Sequence, residues 1–275
     1  MQMGGKKALF LDIDGTLVTD DKKIPEANSR AISKMLAEGH SVIIATGRPL
    51  SSAIKLAGEL GLTEHGCYVI AFNGGVLYDV GRKKEIFRAT MPLAAAKKAF
   101  VEAEKRGVHI HTYDAEEVLV EPFGEDEELR RYCERIKIGY KVVPDIMLTG
   151  EDPVKMLIID FDDPAPLEEF RSWLASWASD IIDSYFSCAE YVEIVRKGLD
   201  KGKALIQMAD ILGIPVEDTI AAGDQANDLE MIKAAGIGCA MKNGTEEVKT
   251  AADYVTELDN NEGGVAEIIE GFVLS

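Results

Sequence analysis

The sequence predicts an α/β protein: a doubly wound, parallel-sheet core interrupted by an inserted α+β module. Two observations lead there. Strand-like apolar runs alternate with amphipathic helices over the first part of the chain and again at its end, joined by short links, the pattern of parallel sheets. Between them the rhythm changes to hairpin-like alternation mixed with helices, as expected of a second sheet. The expected segments are 1–82 (core), 83–190 (insert) and 191–275 (core again). At 275 residues the chain has room for such a pair, given about 150 residues per domain.

Each element has a local reason. Leu9-Phe10-Leu11 is a buried strand stopped by Asp12-Ile13-Asp14-Gly15-Thr16. Pro25 to Glu38 reads as a helix with Ala31, Ile32, Met35 and Leu36 as its stripe and Gly39 as its stop. Ser41 to Ala45 is a strand ending in Thr46-Gly47-Arg48, a helix follows from Ser51 to Leu60, and Tyr68 to Phe72 is a strand ending in Asn73-Gly74. In the insert, Glu85–Arg88, Val108–Tyr113, Val118–Glu121, Lys155–Phe161 and Ile181–Phe186 read as strands. Its helices are expected at Ala94–Arg106, Glu125–Ile136 and Pro166–Ala178. Tyr191 to Val195 is expected to return the chain to the core. A helix from Lys201 to Leu212, a strand Thr219–Ala222, a helix to Ala235 and short strands at Ile237–Met241 and Tyr254–Val255 complete it.

Composition narrows the function. With 30 Lys and Arg against 48 Asp and Glu, the formal charge is −18, which repels a nucleic-acid backbone. Cys67, Cys133, Cys188 and Cys239 are too widely spaced for a zinc site or disulfide framework. No run of about 20 apolar residues suggests a membrane span, and no export signal is evident, so the expected location is the cytoplasm. Nothing points beyond a monomer or weak homo-oligomer.

Polar residues gather where strands end. Asp12 and Asp14, two apart on an extended backbone, point to one side. Thr46, Lys201 and Asp224 with Asn227 and Asp228 stand at other strand ends or helix starts, which share one edge of a parallel sheet. Acids, a hydroxyl, an ammonium and a carboxamide make a hard, oxygen-rich site suited to Mg²⁺ and phosphate. Single motifs have duller readings: Thr46-Gly47 as a turn, Lys201 as a solvated helix-start lysine, Asp228 as a residue favoured by a helix dipole. His109 and His111 share a strand face and read as packing before metal binding. Trp173 and Trp177, four apart on a helix, read as core.

In this order the motifs Asp12-Ile13-Asp14-Gly15-Thr16, Thr46-Gly47-Arg48, Lys201-Gly202 and Gly223-Asp224 with Asn227-Asp228 resemble those of the haloacid-dehalogenase superfamily phosphatases. The insert, preceded by Asn73-Gly74, resembles the type IIB cap of the Cof-type branch, and the likeness spans nearly the whole chain. Gln225-Ala226 departs from the pattern. The resemblance implies a Rossmann-like core, Asp12 as nucleophile and Asp14 as acid and base. It also implies Mg²⁺ held by Asp12, Asp224 and the backbone carbonyl of Asp14, with Asp228 a ligand or loop support. Thr46, Lys201 and Asn227 would bind phosphoryl oxygens, with Gly47, Arg48 and Asn73 in the substrate site, and the cap would choose the leaving group. A raised pKa is expected for Asp14 beside another carboxylate.

The function expected is Mg²⁺-dependent hydrolysis of a small phosphorylated metabolite, such as a sugar phosphate, through an aspartyl-phosphate. Two alternatives remain: a phosphomutase or phosphotransferase with the same intermediate, and a non-enzymatic phosphate-responsive regulator. The second acid, Asp14, favours turnover over storage of an acyl phosphate.

Overall fold

The computed structural model describes residues 5–59, 61–63 and 66–275. In chain order the first elements are β1 (Ala8–Leu11), α1 (Glu26–Ala37), β2 (Ser41–Ala45), α2 (Leu50–Glu59), β3 (Cys67–Ala71), β4 (Val76–Asp79) and β5 (Lys84–Arg88). Then come α3 (Leu93–Arg106), β6 (His109–Tyr113), β7 (Val118–Val120), α4 (Glu127–Ile136), β8 (Tyr140–Val142), β9 (Lys155–Ile159), α5 (Ala165–Ala178), β10 (Ile182–Cys188) and β11 (Tyr191–Arg196). The chain finishes with α6 (Lys201–Leu212), β12 (Thr219–Gly223), α7 (Leu229–Ala234), β13 (Ile237–Ala240), α8 (Glu246–Ala251), β14 (Tyr254–Val255) and α9 (Gly264–Ile268). The expected end of the second helix at Leu60 lies outside the described residues.

Two compact units result. The first takes in the described residues of Met1–Arg48, Ala53–Phe87 and Asp200–Ser275; the second takes in Pro49–Ser52 and Arg88–Leu199. The first unit's sheet has the order β14-β13-β12-β1-β2-β3-β4-β5. It is parallel from β14 to β3, and β4 joins antiparallel. Its central strands are apolar on both faces because helices cover both. Phe10, Ile43 and Ile70 pack with Leu205 and Met208 of α6, while Leu9, Leu11 and Ile44 are buried on the alternate side. Neighbours β12, β1, β2 and β3 all run the same way, so Asp224, Asp12, Thr46 and Asn73 follow their ends along one edge.

The second unit has its own sheet, β10-β11-β9-β6-β7-β8. Ile110, Met156, Ile158, Val192 and Ile194 pack with Phe100 of α3 and Phe170 and Leu174 of α5. Trp173 and Trp177 lie against that cluster, with the Lys98 ammonium 3.6 Å from a Trp177 ring centre; they are packing residues, as expected. On alternate positions of β6, His109 and His111 join a hydrogen-bonded chain. Asp126 meets His109 Nδ1 at 2.9 Å, His109 Nε2 meets His111 Nδ1 at 2.8 Å, and His111 Nε2 meets the Tyr113 hydroxyl at 2.9 Å. Tyr113 in turn meets Tyr132 of α4 at 2.6 Å. Every ring nitrogen of the pair is engaged, which leaves no lone pair for a metal.

The structure moves two expected boundaries. Phe87 closes the first unit's opening segment, because the β4 and β5 hairpin extends the first sheet. The expectation that Tyr191–Val195 returns to the core is corrected: β11 sits between β10 and β9, antiparallel to both, and the first unit resumes at Asp200. Val192 and Ile194 supply the apolar alternation that either sheet could accept, so that pattern alone does not choose a partner. The short β8 and the helices α8 and α9 were not anticipated.

Candidate active site

The residues at the ends of β1 and β12 form the centre. Asp12 donates its backbone N–H to Ala222 O at 3.0 Å, continuing the ladder one residue past β1, and its side chain is buried. Asp200 caps α6 by accepting from Lys203 N–H at 2.7 Å, which sets Lys201 at the first helical position. Gly202 beside it allows α6 to approach α7, since a Cβ there would meet Glu230 O at 2.3 Å. Lys201 is fully buried and donates to Asp12 Oδ1 at 2.5 Å and to Asp228 Oδ1 at 2.6 Å. The solvated reading of this lysine is thereby excluded.

Asp224 completes the cluster. Its Oδ1 accepts from the Thr16 hydroxyl at 3.0 Å and its Oδ2 from the Gln225 amide at 3.2 Å. Gln225, the departure from the expected motif, therefore orients the acid that precedes it. Gly15 has φ +81°, and a Cβ there would lie 2.3 Å from Asp224 Oδ2; only glycine admits this turn beside this carboxylate. Asp228 Oδ2 accepts from the backbone N–H groups of Asp224 and Gln225 at 3.0 and 3.1 Å. With Lys201 on its Oδ1, Asp228 ties the loop to the lysine.

Asp12, Asp224 and Asp228 each place a carboxylate oxygen within 4.8 Å of the others. Three buried acids against one ammonium leave surplus negative charge, and burial together with Asp228 pushes the carboxyls of Asp12 to about 7 and of Asp224 to about 6. Such a hard oxygen set fits Mg²⁺, which favours a few carboxylates and keeps other positions for water or phosphate. Asp228 is the most heavily engaged of the three, with the Lys201 ammonium on one oxygen and two backbone amides on the other, whereas each Asp224 oxygen meets one neutral side-chain donor.

The expectation for Asp14 is corrected. Burial pushes its carboxyl up, but Arg48 and Lys22 outweigh burial and hold it below the usual range. Arg48 donates Nε to Oδ2 at 2.9 Å and Nη2 to both oxygens at 2.7 Å, and Lys22 Nζ donates to Oδ1 at 2.7 Å. Thr46 is buried; its hydroxyl accepts from Arg48 N–H at 3.1 Å and its carbonyl from Asn73 N–H at 3.0 Å. Gly47 lies against the Asn73 amide, 3.1 Å from the position of a Cβ. Asn73 is buried with a left-handed backbone, φ +54°. Asn227 lies on the Ala226–Asp228 turn with its side chain exposed. The structure thus joins Asp12, Lys201, Asp224 and Asp228 directly, and Asp14 with Arg48.

Sequence reasoning passed over three supports. Asn243 donates to Gly15 O at 2.7 Å, and Asn260 donates to Val18 O at 3.0 Å. Lys22, in an Asp-Asp-Lys-Lys turn, carries no signal to separate it from a solvated lysine.

A family model of haloacid dehalogenase-like hydrolases matches residues 9–269. The chain belongs to that family. This hydrolase is 32% identical to a haloacid dehalogenase-like hydrolase from Bacteroides thetaiotaomicron, whose crystal structure superposes with a TM-score of 0.89 over 97% of this chain and 99% of that one. It is 30% identical to a 5-amino-6-(5-phospho-D-ribitylamino)uracil phosphatase of Bacillus subtilis over 96% of each chain. The structure of a subclass IIB sugar phosphatase of the superfamily matches with a TM-score of 0.80 and 26% identity, over 98% of this hydrolase and 100% of that chain. No helix among the described residues is long and apolar enough to cross a membrane.

Proposed function

We propose that this hydrolase is a Mg²⁺-dependent phosphatase of small phosphorylated metabolites, sugar phosphates among them, working through an aspartyl-phosphate on Asp12. One observation carries the reading: Asp12 is buried at a strand end, 2.5 Å from the Lys201 ammonium, with Asp224 within reach of the same point. The named phosphatases among its relatives support the reaction class.

The ordered motifs and the contacts around Asp12 support the following roles. Asp12 attacks phosphorus; a new bond to its oxygen forms as the bond to the leaving alcohol breaks, and Asp14 gives that alcohol a proton. Water then attacks the phosphoryl group, Asp14 takes its proton, and the Asp12 carboxylate returns as phosphate leaves. Arg48 and Lys22 favour the ionised Asp14 that this second step needs and disfavour the protonated form from which the first step starts. Lys201, Thr46 and Asn227 would bind phosphoryl oxygens and stabilise the charge that shifts during transfer. Mg²⁺, when held by Asp12, Asp224 and the Asp14 carbonyl, supplies positive charge beside those oxygens. The second unit would act as the cap that selects the leaving group.

The test is phosphate release from a panel of phosphate esters, with and without EDTA. Turnover that stops in EDTA and returns with added Mg²⁺ is expected; turnover indifferent to chelation rejects the metal, and isomer formation without phosphate release points to a mutase.

A second expectation concerns pH. Unfolded carboxyls titrate near 4, whereas those of Asp12 and Asp224 are raised to about 7 and about 6. The folded, metal-free protein therefore binds more protons than the unfolded chain between these limits, and its stability falls as pH rises from about 4 to about 7. Mg²⁺ relieves the same repulsion and competes with protons. Melting curves should show a larger Mg²⁺ stabilisation at pH 8 than at pH 5.5; equal shifts would contradict the assignment of these acids as ligands.

A further inference from the structure

The Asp14 carboxylate is gripped by two cations, and only Arg48 belongs to a recognised motif. Lys22 reaches it from a turn on the same loop. That turn is closed by Thr19 N–H to Lys23 O at 2.7 Å, Lys22 N–H to Thr19 O at 2.9 Å and Lys23 N–H to the Thr19 hydroxyl at 3.1 Å. It is tied to the C-terminal segment: Asn260 donates to Val18 O at 3.0 Å and to Asp20 Oδ1 at 3.1 Å, and Asp20 N–H donates to Asn261 Oδ1 at 3.0 Å.

The backbone at Lys22 makes its identity informative. Its φ is +61°, a left-handed conformation that glycine or asparagine fills with less strain. Strained positions of this kind gather at functional sites. The Lys22 side chain is 62% exposed apart from its ion pair, so it contributes little packing. What the lysine adds to this turn is an ammonium 2.7 Å from Asp14 Oδ1.

We propose that Lys22 is a positioning residue for the acid and base of the reaction, a second anchor on the Asp14 carboxyl, whose Oδ1 it shares with Arg48, so that the group stays directed at the leaving alcohol. The proposal rests on the phosphatase reading above. Arg48 contacts both oxygens through one long side chain; a second anchor on a separately braced turn restricts the joint movement of that pair. Proton transfer to a leaving oxygen needs a donor within hydrogen-bond reach, and small misplacements of a catalytic group are costly.

Two substrates separate this role from a structural one. An alkyl phosphate leaves as a basic alkoxide and needs the proton, whereas 4-nitrophenyl phosphate leaves as a stabilised phenolate and needs it little. Lys22→Gly suits the left-handed turn and removes the ammonium, so its melting temperature should equal or exceed the wild-type value. Its kcat/KM should fall about tenfold or more for the alkyl phosphate, within the range general acids supply, and change little for the aryl ester. Lys22→Arg should restore most of the loss. Equal losses on both substrates, or no loss on either, would overturn the proposal while leaving the phosphatase reading intact. A wild-type protein releasing phosphate from neither ester would remove the parent reading and this one with it.

Discussion

Asp12→Asn should lower turnover of any phosphate ester by roughly 10³-fold or more, the scale at which losing a nucleophile is felt, without lowering the melting temperature of the metal-free protein. The carboxamide matches the carboxylate in size but cannot form the acyl phosphate. Stability should not suffer, because the ionised Asp12 is unfavourable in place: burial and Asp228 push its pKa to about 7 despite Lys201. Lys201 keeps its 2.6 Å contact with Asp228 after the change. Activity then falls while stability is kept or gained, the signature of a site selected for chemistry at the expense of the fold. Phosphate release and thermal melting of the same preparation check both halves. A variant that turns over near the wild-type rate would remove Asp12 from the mechanism.

Lys201→Met should have the opposite signature, losing stability and activity together. The ammonium is enclosed between two carboxylates, Asp12 at 2.5 Å and Asp228 at 2.6 Å. Burial opposes its charge, yet these two acids outweigh burial and raise its pKa. Removing one partner of such a buried set leaves uncompensated charge and costs on the order of 3–5 kcal/mol. The loss should be greatest at pH 8, where Asp12 is ionised, and smaller at pH 5.5, where a proton takes over part of the lysine's task. Adding Asp228→Asn should recover much of the stability but none of the activity, since the ammonium proposed to bind the phosphoryl group is still missing. Thermal melting of the single and double variants at both pH values decides it. A single variant as stable as wild type at pH 8 would show that the lysine does not offset these acids.

Both variants concern contacts that join distant stretches of chain. Lys201 and Asp12 are 189 residues apart, and Thr16 and Asp224 are 208 apart. The candidate acids were still legible, because Asp12 and Asp224 each stop an apolar strand and parallel strands bring their ends to one edge. Lys22 was not legible. Nothing local distinguishes a lysine in a polar turn from one bound to Asp14, and its left-handed backbone exists only in the folded chain. Asn243 and Asn260 were missed for the same reason: each donates to a backbone carbonyl more than two hundred residues away. The error over the charge state of Asp14 has a related source. Sequence showed an acid beside an acid, while in the folded chain burial raises the Asp14 pKa and the guanidinium 34 residues on, together with Lys22, outweighs it.

The sequence by itself determined which residues could do the chemistry and most of the segments that become strands and helices, since periodicity, caps and strand-end acids act over a few residues. Tertiary structure decided which sheet receives β11, which cations hold Asp14, and that Asp228 ties Lys201 to the Asp224 loop. Those outcomes depend on burial and charge pairing between stretches far apart in the chain. A carboxylate's ionisation, like a strand's partner, is set by what folding places against it.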